Sequence, residues 1–301
     1  MTNTDIPMFG RVITAMITPM HDDGSVDYDA AVSLADHLVK NGSDGLVLSG
    51  TTGESPTLTH DEKITLFKTI SSALAGRAKV IAGTGSYNTQ ETIELSRAAE
   101  RCGIDGLLVV APYYNKPSQE GLYQHFMAVA AATETPILLY NVPARTITNI
   151  DAGTVVRLAD HPRIVGVKEA SANMAQVGDI VQNAPEGFLV YSGADEVNLP
   201  MLSIGSVGTI SVISHLAGND LAEMYRAFNA GDTAKARSIH LRTLALTKAM
   251  FSFPSPSPTK TALGMLGVIP STHVRLPLVL AQEKERAIVQ AALREYGLPR
   301  G

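Results

Sequence analysis

Eight short apolar runs of β-type residues recur at nearly even intervals along the chain, and segments with helical spacing stand between them. The runs are RVITAMITP from Arg11, GLVLSG from Gly45, KVIAGTG from Lys79, GLLVVAPYY from Gly106, PILLYNVP from Pro136, IVGVKEAS from Ile164, FLVYSGAD from Phe188 and VGTISV from Val207. The intervening segments include YDAAVSLADHLVKNG, THDEKITLFKTISSALAG, TQETIELSRAAERCG and GLYQHFMAVAAAT, whose apolar residues repeat every three to four positions. Thr59, three residues ahead of Glu62, predicts a capping box, and Gly42, Gly76 and Gly103 predict helix ends. Eight strand–helix units are what a closed parallel barrel requires. An open doubly wound sheet uses fewer strands and often a G-x-G-x-x-G turn, which does not follow the first run. The expected fold is therefore an α/β (β/α)8 TIM barrel over residues 1–231, followed by a C-terminal helical domain over 232–301 in which no strand signal remains. Pro254, Pro256 and Pro258 mark a helix break within that domain.

Composition narrows the function. With 45% hydrophobic and 18% charged residues, the 301-residue chain reads as a globular protein with a large core. A net charge of -5 and 5% aromatic residues supply neither a basic stripe nor a base-stacking surface, so nucleic acid is not an expected partner. No apolar window is long enough for a membrane span, and the N-terminus lacks an export pattern. With Cys102 as the single cysteine, on a helix-like face, the expected compartment is the cytoplasm. The glycosylation triplet at Asn41 then reads as chance.

In a barrel of this kind the chemistry sits where the strands end. Those positions carry GTTGES, PYYNKP, YNVPAR and KEAS, so polar, aromatic and glycine residues gather at one end. Lys168 is the notable one, because a lysine capping a buried strand must be either paired or put to chemical use. Alternation places Ile164, Gly166 and Lys168 on one side of the sixth strand, and Leu138 and Tyr140 on one side of the fifth. Gly166 would leave room for the long side chain, and Glu169 would point the other way. An unpaired amine there can attack a carbonyl and hold a keto acid as a Schiff base, turning it into an enamine carbon nucleophile; a structural lysine is the alternative. GTTGES can turn successive amides toward a carboxylate, or it can be an ordinary turn with Ser55 or Thr59 as a helix cap. Tyr140, Tyr113 and Tyr114 suit a hydroxyl relay, or each hydroxyl is satisfied by the backbone. Arg145 suits a second carboxylate, or lies free at the surface.

The eight histidines lack metal-ligand spacing, so no metal is expected. The loops SGADEVN and SVISHLAG lack a phosphate cradle, and no cofactor is expected.

Taken together and in this order, GTTGES, PYYNKPSQEGLYQHF, YNVPART, VGVKEAS and GTISV resemble the dihydrodipicolinate synthase family, within the pyruvate-dependent aldolase and N-acetylneuraminate lyase superfamily. The resemblance runs nearly the full length. It implies condensation of pyruvate with aspartate semialdehyde in lysine (diaminopimelate) biosynthesis. Lys168 would carry pyruvate, while Tyr140, Thr51 and Tyr114 relay protons. The amides of Thr51 and Thr52 would hold the pyruvate carboxylate, the carbonyls of Gly193 and Ile210 would line the pocket, and Arg145 would bind the aldehyde's carboxylate. Tyr114 would come from a neighbouring subunit, which implies a homotetramer built as a dimer of dimers. His60, Lys63, Tyr87, Glu91 and Tyr113 fall at regulatory positions. Lysine-sensitive relatives carry His in place of Lys63 and Asn near Tyr87, so feedback by lysine is not expected. Ala194 stands where many synthases have an acid.

Two other readings remain at this level. One is a sugar-acid lyase of the same superfamily, for which Arg145 would have no role. The other is a barrel that binds keto acids or amino acids as a sensor, without turnover.

Overall fold

The computed structural model describes residues 6–298. Eight parallel strands close into a barrel in sequence order: β1 (Val12–Ala15), β2 (Gly45–Leu48), β3 (Lys79–Gly83), β4 (Gly106–Val110), β5 (Ile137–Asn141), β6 (Ile164–Glu169), β7 (Leu189–Ser192) and β8 (Gly208–Ser211), with β8 pairing back onto β1. Helices α1 (Tyr28–Lys40), α2 (His60–Leu74), α3 (Thr89–Glu100), α4 (Gln119–Ala132), α5 (Pro143–Thr146), α6 (Ala152–Ala159), α7 (Met174–Asn183), α8 (Asn198–Ser203) and α9 (Ser214–Asn229) follow the strands. Three more close the chain: α10 (Thr233–Met250), α11 (Ser257–Met265) and α12 (Glu283–Tyr296).

Strand alternation builds two apolar layers. Inward residues Ile13, Val47, Ile81, Leu108, Leu138, Tyr140, Leu189, Tyr191 and Ile210 fill the barrel. Their outward neighbours, such as Leu46, Val80, Leu107, Leu139 and Val167, pack against Leu34, Phe67, Phe126 and Ile180 of the surrounding helices. Burying such side chains at about 25 cal/mol per Å² of apolar surface is the main force closing the cylinder.

The helix signals read from sequence are present. Thr59 accepts from the Glu62 amide while Glu62 accepts from the Thr59 amide, the reciprocal capping box. Gly42, Gly76 and Gly103 all have positive φ, as helix stops require. The proline-rich stretch falls between Met250 and the first turn of α11, where a missing amide proton leaves no helix bond unmade.

One sequence expectation is corrected. Ile164 belongs to the outer layer, not to the side that carries Lys168. The β5–β6 register runs from Ile137 opposite Ile164 to Leu138 opposite Gly166, so one residue of β6 is taken up as a bulge. Beyond it Tyr140 stands opposite Lys168, and both face inward.

After β8 there is no further strand among the described residues. Leu221, Met224 and Tyr225 of α9 share a core with Ala236, Leu246 and Met250 of α10, Ala262 of α11 and Val289 and Leu293 of α12, a core that also takes in Val12 of β1. Among the described residues no helix is long and apolar enough to cross a membrane.

Candidate active site

A cavity of about 200 Å³ opens at the C-terminal ends of β2 to β5, lined by Gly50, Thr51, Ser55, Tyr113, Tyr140 and Arg145 among others. That is below the range typical of drug-sized ligands and suits a small organic acid.

Lys168 lies beside this wall, 6% exposed, with its Nζ 4.2 Å from the centroid of the Tyr140 ring. No ion pair or hydrogen bond engages the amine among the described residues. The aromatic face of Tyr140 is the partner the amine has. Room for the lysine comes from Gly193, where an added Cβ would stand 3.0 Å from Lys168 Cγ and 3.1 Å from its Cε. Gly166, expected from sequence to play that part, does something else. A Cβ there would meet Leu189 O at 2.3 Å and Leu138 Cδ2 at 2.9 Å, so it lets β7 and the barrel core close up.

Glu169 points away from Lys168, as alternation requires, and is fully buried in the outer layer. Its Oε2 accepts from Asn141 Nδ2 and Gln176 Nε2, each at 2.9 Å, and its Oε1 accepts from the Ser171 amide at 2.7 Å. Asn141 Nδ2 also donates to Asn149 Oδ1 at 2.8 Å, and its Oδ1 accepts from the Ile150 amide at 3.0 Å. This network ties the ends of β5 and β6 to the segment after α5, the helix that carries Arg145.

GTTGES forms a tight loop in which the Glu54 amide donates to Thr51 O and the Ser55 amide to Gly50 O, both at 3.1 Å. The amides of Thr51 and Thr52 have no acceptor among the described residues, so they are open to an anion. Arg145 lines the same cavity, is exposed, and forms no ion pair among the described residues.

Not every expected residue is in the cavity. Tyr113 lines it and Tyr114 does not: Tyr114 is 93% exposed, with φ 71, and projects away from its own chain. No hydrogen bond joins the hydroxyls of Tyr140, Thr51 and Tyr114 among the described residues. Lys168 itself, Thr52, Gly193 and Ile210 are absent from the cavity lining. Gly193 lies against the Lys168 stem, and Ile210 fills the barrel interior.

Of the regulatory positions, Tyr87 and Tyr113 meet edge to face with centroids 5.3 Å apart. Burial pulls the Lys63 ammonium below its usual range, and the charge of Glu91 opposes this. Glu91 accepts from Ser86 Oγ at 3.1 Å and Asn88 Nδ2 at 3.4 Å. His60, exposed at the start of α2, has no hydrogen bond or ion pair to the other four among the described residues. At the β7 loop the structural acid is Asp195, which accepts from the amides of Val212 at 2.9 Å and Ile213 at 3.1 Å, so Ala194 need not supply one.

Sequence reasoning missed the lining residues Ser49, Pro56, Gly83, Gly85, Leu108, Val110, Val142 and Thr146. Val142 and Thr146 lie within the YNVPART motif and could have been included with it. The others carry no chemical signal of their own.

The chain matches the Dihydrodipicolinate synthetase family over residues 8–296. It is 54% identical to a 4-hydroxy-tetrahydrodipicolinate synthase of Moorella thermoacetica across 96% of this chain and 99% of that one. Among solved structures it is similar to a dihydrodipicolinate synthase from Bacillus anthracis, with a TM-score of 0.94, 44% identity, and 98% and 100% of the two chains covered. It is equally similar to one from Cyanidioschyzon merolae solved with lysine bound, with a TM-score of 0.95, 44% identity, and 97% and 100% covered.

Proposed function

Because the chain belongs to the dihydrodipicolinate synthetase family, we propose that it is a 4-hydroxy-tetrahydrodipicolinate synthase that carries pyruvate on Lys168 and condenses it with L-aspartate 4-semialdehyde. The observation that carries this reading is Lys168 itself. It is a buried amine without an ion pair, held against Tyr140 beside a small cavity whose walls include Arg145 and the open Thr51 amide.

The chemistry follows from that placement. The lysine lone pair attacks the C2 carbonyl of pyruvate, and loss of water leaves an iminium. The Tyr140 face that holds the resting amine also lies against that positive charge. Loss of a C3 proton gives the enamine, whose C3 attacks the aldehyde carbon of the second substrate. The Thr51 and Thr52 amides are suited to the pyruvate carboxylate, and the Arg145 guanidinium to the carboxylate of the aldehyde. Arg145 on the cavity wall favours this partner over a neutral sugar chain.

The proton relay needs one more piece. Tyr140 and Thr51 face the cavity, whereas Tyr114 leaves its own chain almost fully exposed in the left-handed region. A large aromatic side chain held out in this way suits insertion into a second copy, and a homotetramer working in the cytoplasm goes with this reading.

Sodium borohydride added with pyruvate tests the central step. The expected result is a reduced pyruvate adduct on Lys168, found by peptide mass. An intact enzyme that turns over pyruvate yet is never trapped at this residue contradicts the proposal.

A further inference from the structure

Among the described residues the most deeply buried charge pair joins parts of the chain 206 positions apart. Lys260 Nζ on α11 lies 2.6 Å from Glu54 Oε1, and both side chains are 0% exposed. Lys260 also donates to His273 O at 2.6 Å, and the second Glu54 oxygen accepts from the Arg275 amide at 3.0 Å. Glu54 is the glutamate of GTTGES. It does not line the cavity; Gly50, Thr51, Ser55 and Pro56 around it do. The loop is held from two more sides, with Arg275 Nη1 donating to Thr57 O at 2.7 Å and Thr18 Oγ1 donating to Gly53 O at 2.7 Å.

Two features set this pair apart from an ordinary stabilising bridge. Desolvating two charges offsets most of their attraction, so a fully buried pair is a poor device for stability alone, and apolar residues of similar volume would serve as well. Glu54 also sits in the left-handed region, at φ 57 and ψ 35, a conformation a non-glycine residue keeps only when its surroundings dictate it. From that conformation its carboxylate reaches Lys260 and the Arg275 amide. Glu54 falls two residues after Thr52, in the same loop as the open Thr51 and Thr52 amides.

We propose that Lys260 is a positioning residue for keto-acid binding. Through Glu54 it fixes the GTTGES loop from behind, so that the Thr51 and Thr52 amides point at the substrate carboxylate, and it touches no substrate itself. The inference rests on the proposed role of those amides in holding the pyruvate carboxylate. It makes the C-terminal helices part of the site's geometry.

The test uses the full-length enzyme and three variants: Lys260→Met, Glu54→Gln, and the double variant Glu54→Gln/Lys260→Met. The single lysine change strands a buried carboxylate and is expected to lower the thermal midpoint. The double variant removes both charges and restores the midpoint to near wild type. Half-saturation by pyruvate, read from borohydride trapping, is nevertheless expected to rise about tenfold or more in the double variant, the loss of one well-placed carboxylate contact. KM for the aldehyde should shift by less than about twofold, because Arg145 is held elsewhere. A double variant with wild-type pyruvate half-saturation overturns the inference. So does an equal rise in both constants, or a double variant that no longer folds, since either makes the pair purely structural. A wild-type enzyme that yields no adduct fails the Lys168 reading, and this inference with it. A trapped wild type beside an unshifted double variant fails this inference alone.

Discussion

Asn141 and Glu169 are register partners one step beyond Tyr140 and Lys168, and their side chains are joined by a hydrogen bond of 2.9 Å. The two pairs occupy the same ends of β5 and β6 but face opposite ways: one pair faces the barrel mouth, the other the helix layer. The outer pair fixes the strand ends on which the inner pair stands.

Replacing Glu169 by Gln turns an acceptor into a donor opposite two amide donors. At least one buried N–H loses its partner, which costs about 1–3 kcal/mol. Urea unfolding of Glu169→Gln should show a loss in that range, together with a lower rate of Lys168 trapping by pyruvate and borohydride. Stability within about 0.5 kcal/mol of wild type would remove the network from any supporting role.

Arg145→Ala separates the two substrates. A guanidinium–carboxylate contact contributes about 1.5–3 kcal/mol, so KM for the aldehyde should rise roughly 10- to 100-fold while the pyruvate adduct still forms. If a keto-deoxy sugar acid is cleaved with equal efficiency by wild type and variant, the protein is a sugar-acid lyase and not a synthase acting on aspartate semialdehyde.

Tyr114→Phe is expected to lower kcat by about 100-fold, the usual contribution of a proton-transfer group. Its origin is testable by subunit mixing. Lys168→Ala protein, inactive alone, and Tyr114→Phe protein, about 100-fold slowed, should together exceed the activity of either when dissociated and reassembled, because one of the two mixed sites then holds both intact residues. Absence of any recovery in mixed oligomers would assign Tyr114 to its own chain or to no site.

Two buried histidines set an acid limit. His215 donates from Nδ1 to Val212 O at 2.7 Å and accepts from the Ile17 amide at Nε2 at 3.1 Å. A second ring proton would turn Nε2 toward that amide as a donor. Burial holds the pKa values of His215 and His125 down to about 4. The unfolded chain takes up these protons near pH 6.5, so the stability they confer is complete above that value and is lost as pH falls from 6.5 through 4. The loss approaches about 3 kcal/mol for each ring. Urea midpoints measured from pH 7.5 to 4.5 should fall steeply, and His215→Gln should flatten part of that slope. A wild-type midpoint equal at both ends of the range contradicts this.

Much of the site was legible in the sequence because its motifs lie at strand ends. Period-two alternation, eight times repeated, places GTTGES, YNVPAR and KEAS at one mouth, and an apolar strand ending in Lys168 draws attention to that amine. Alternation failed at Ile164, since a bulge is an event between two strands and leaves no mark on either one. Gly166 and Gly193 look alike in sequence. Only the neighbours at 2.3 Å and 3.0 Å reveal that the first admits a strand and the second a lysine.

The chain's local patterns alone determined the barrel, the helices around it and the lysine at its rim, because apolar periodicity and capping act over a few residues. The closed structure decided which side chains meet. Lys260 and Glu54 come together because α11 folds back over the GTTGES loop, and Tyr114 leaves its own cavity because its backbone turns left-handed there. Such pairings depend on distances between segments far apart in the chain, and these exist only once the cylinder has closed.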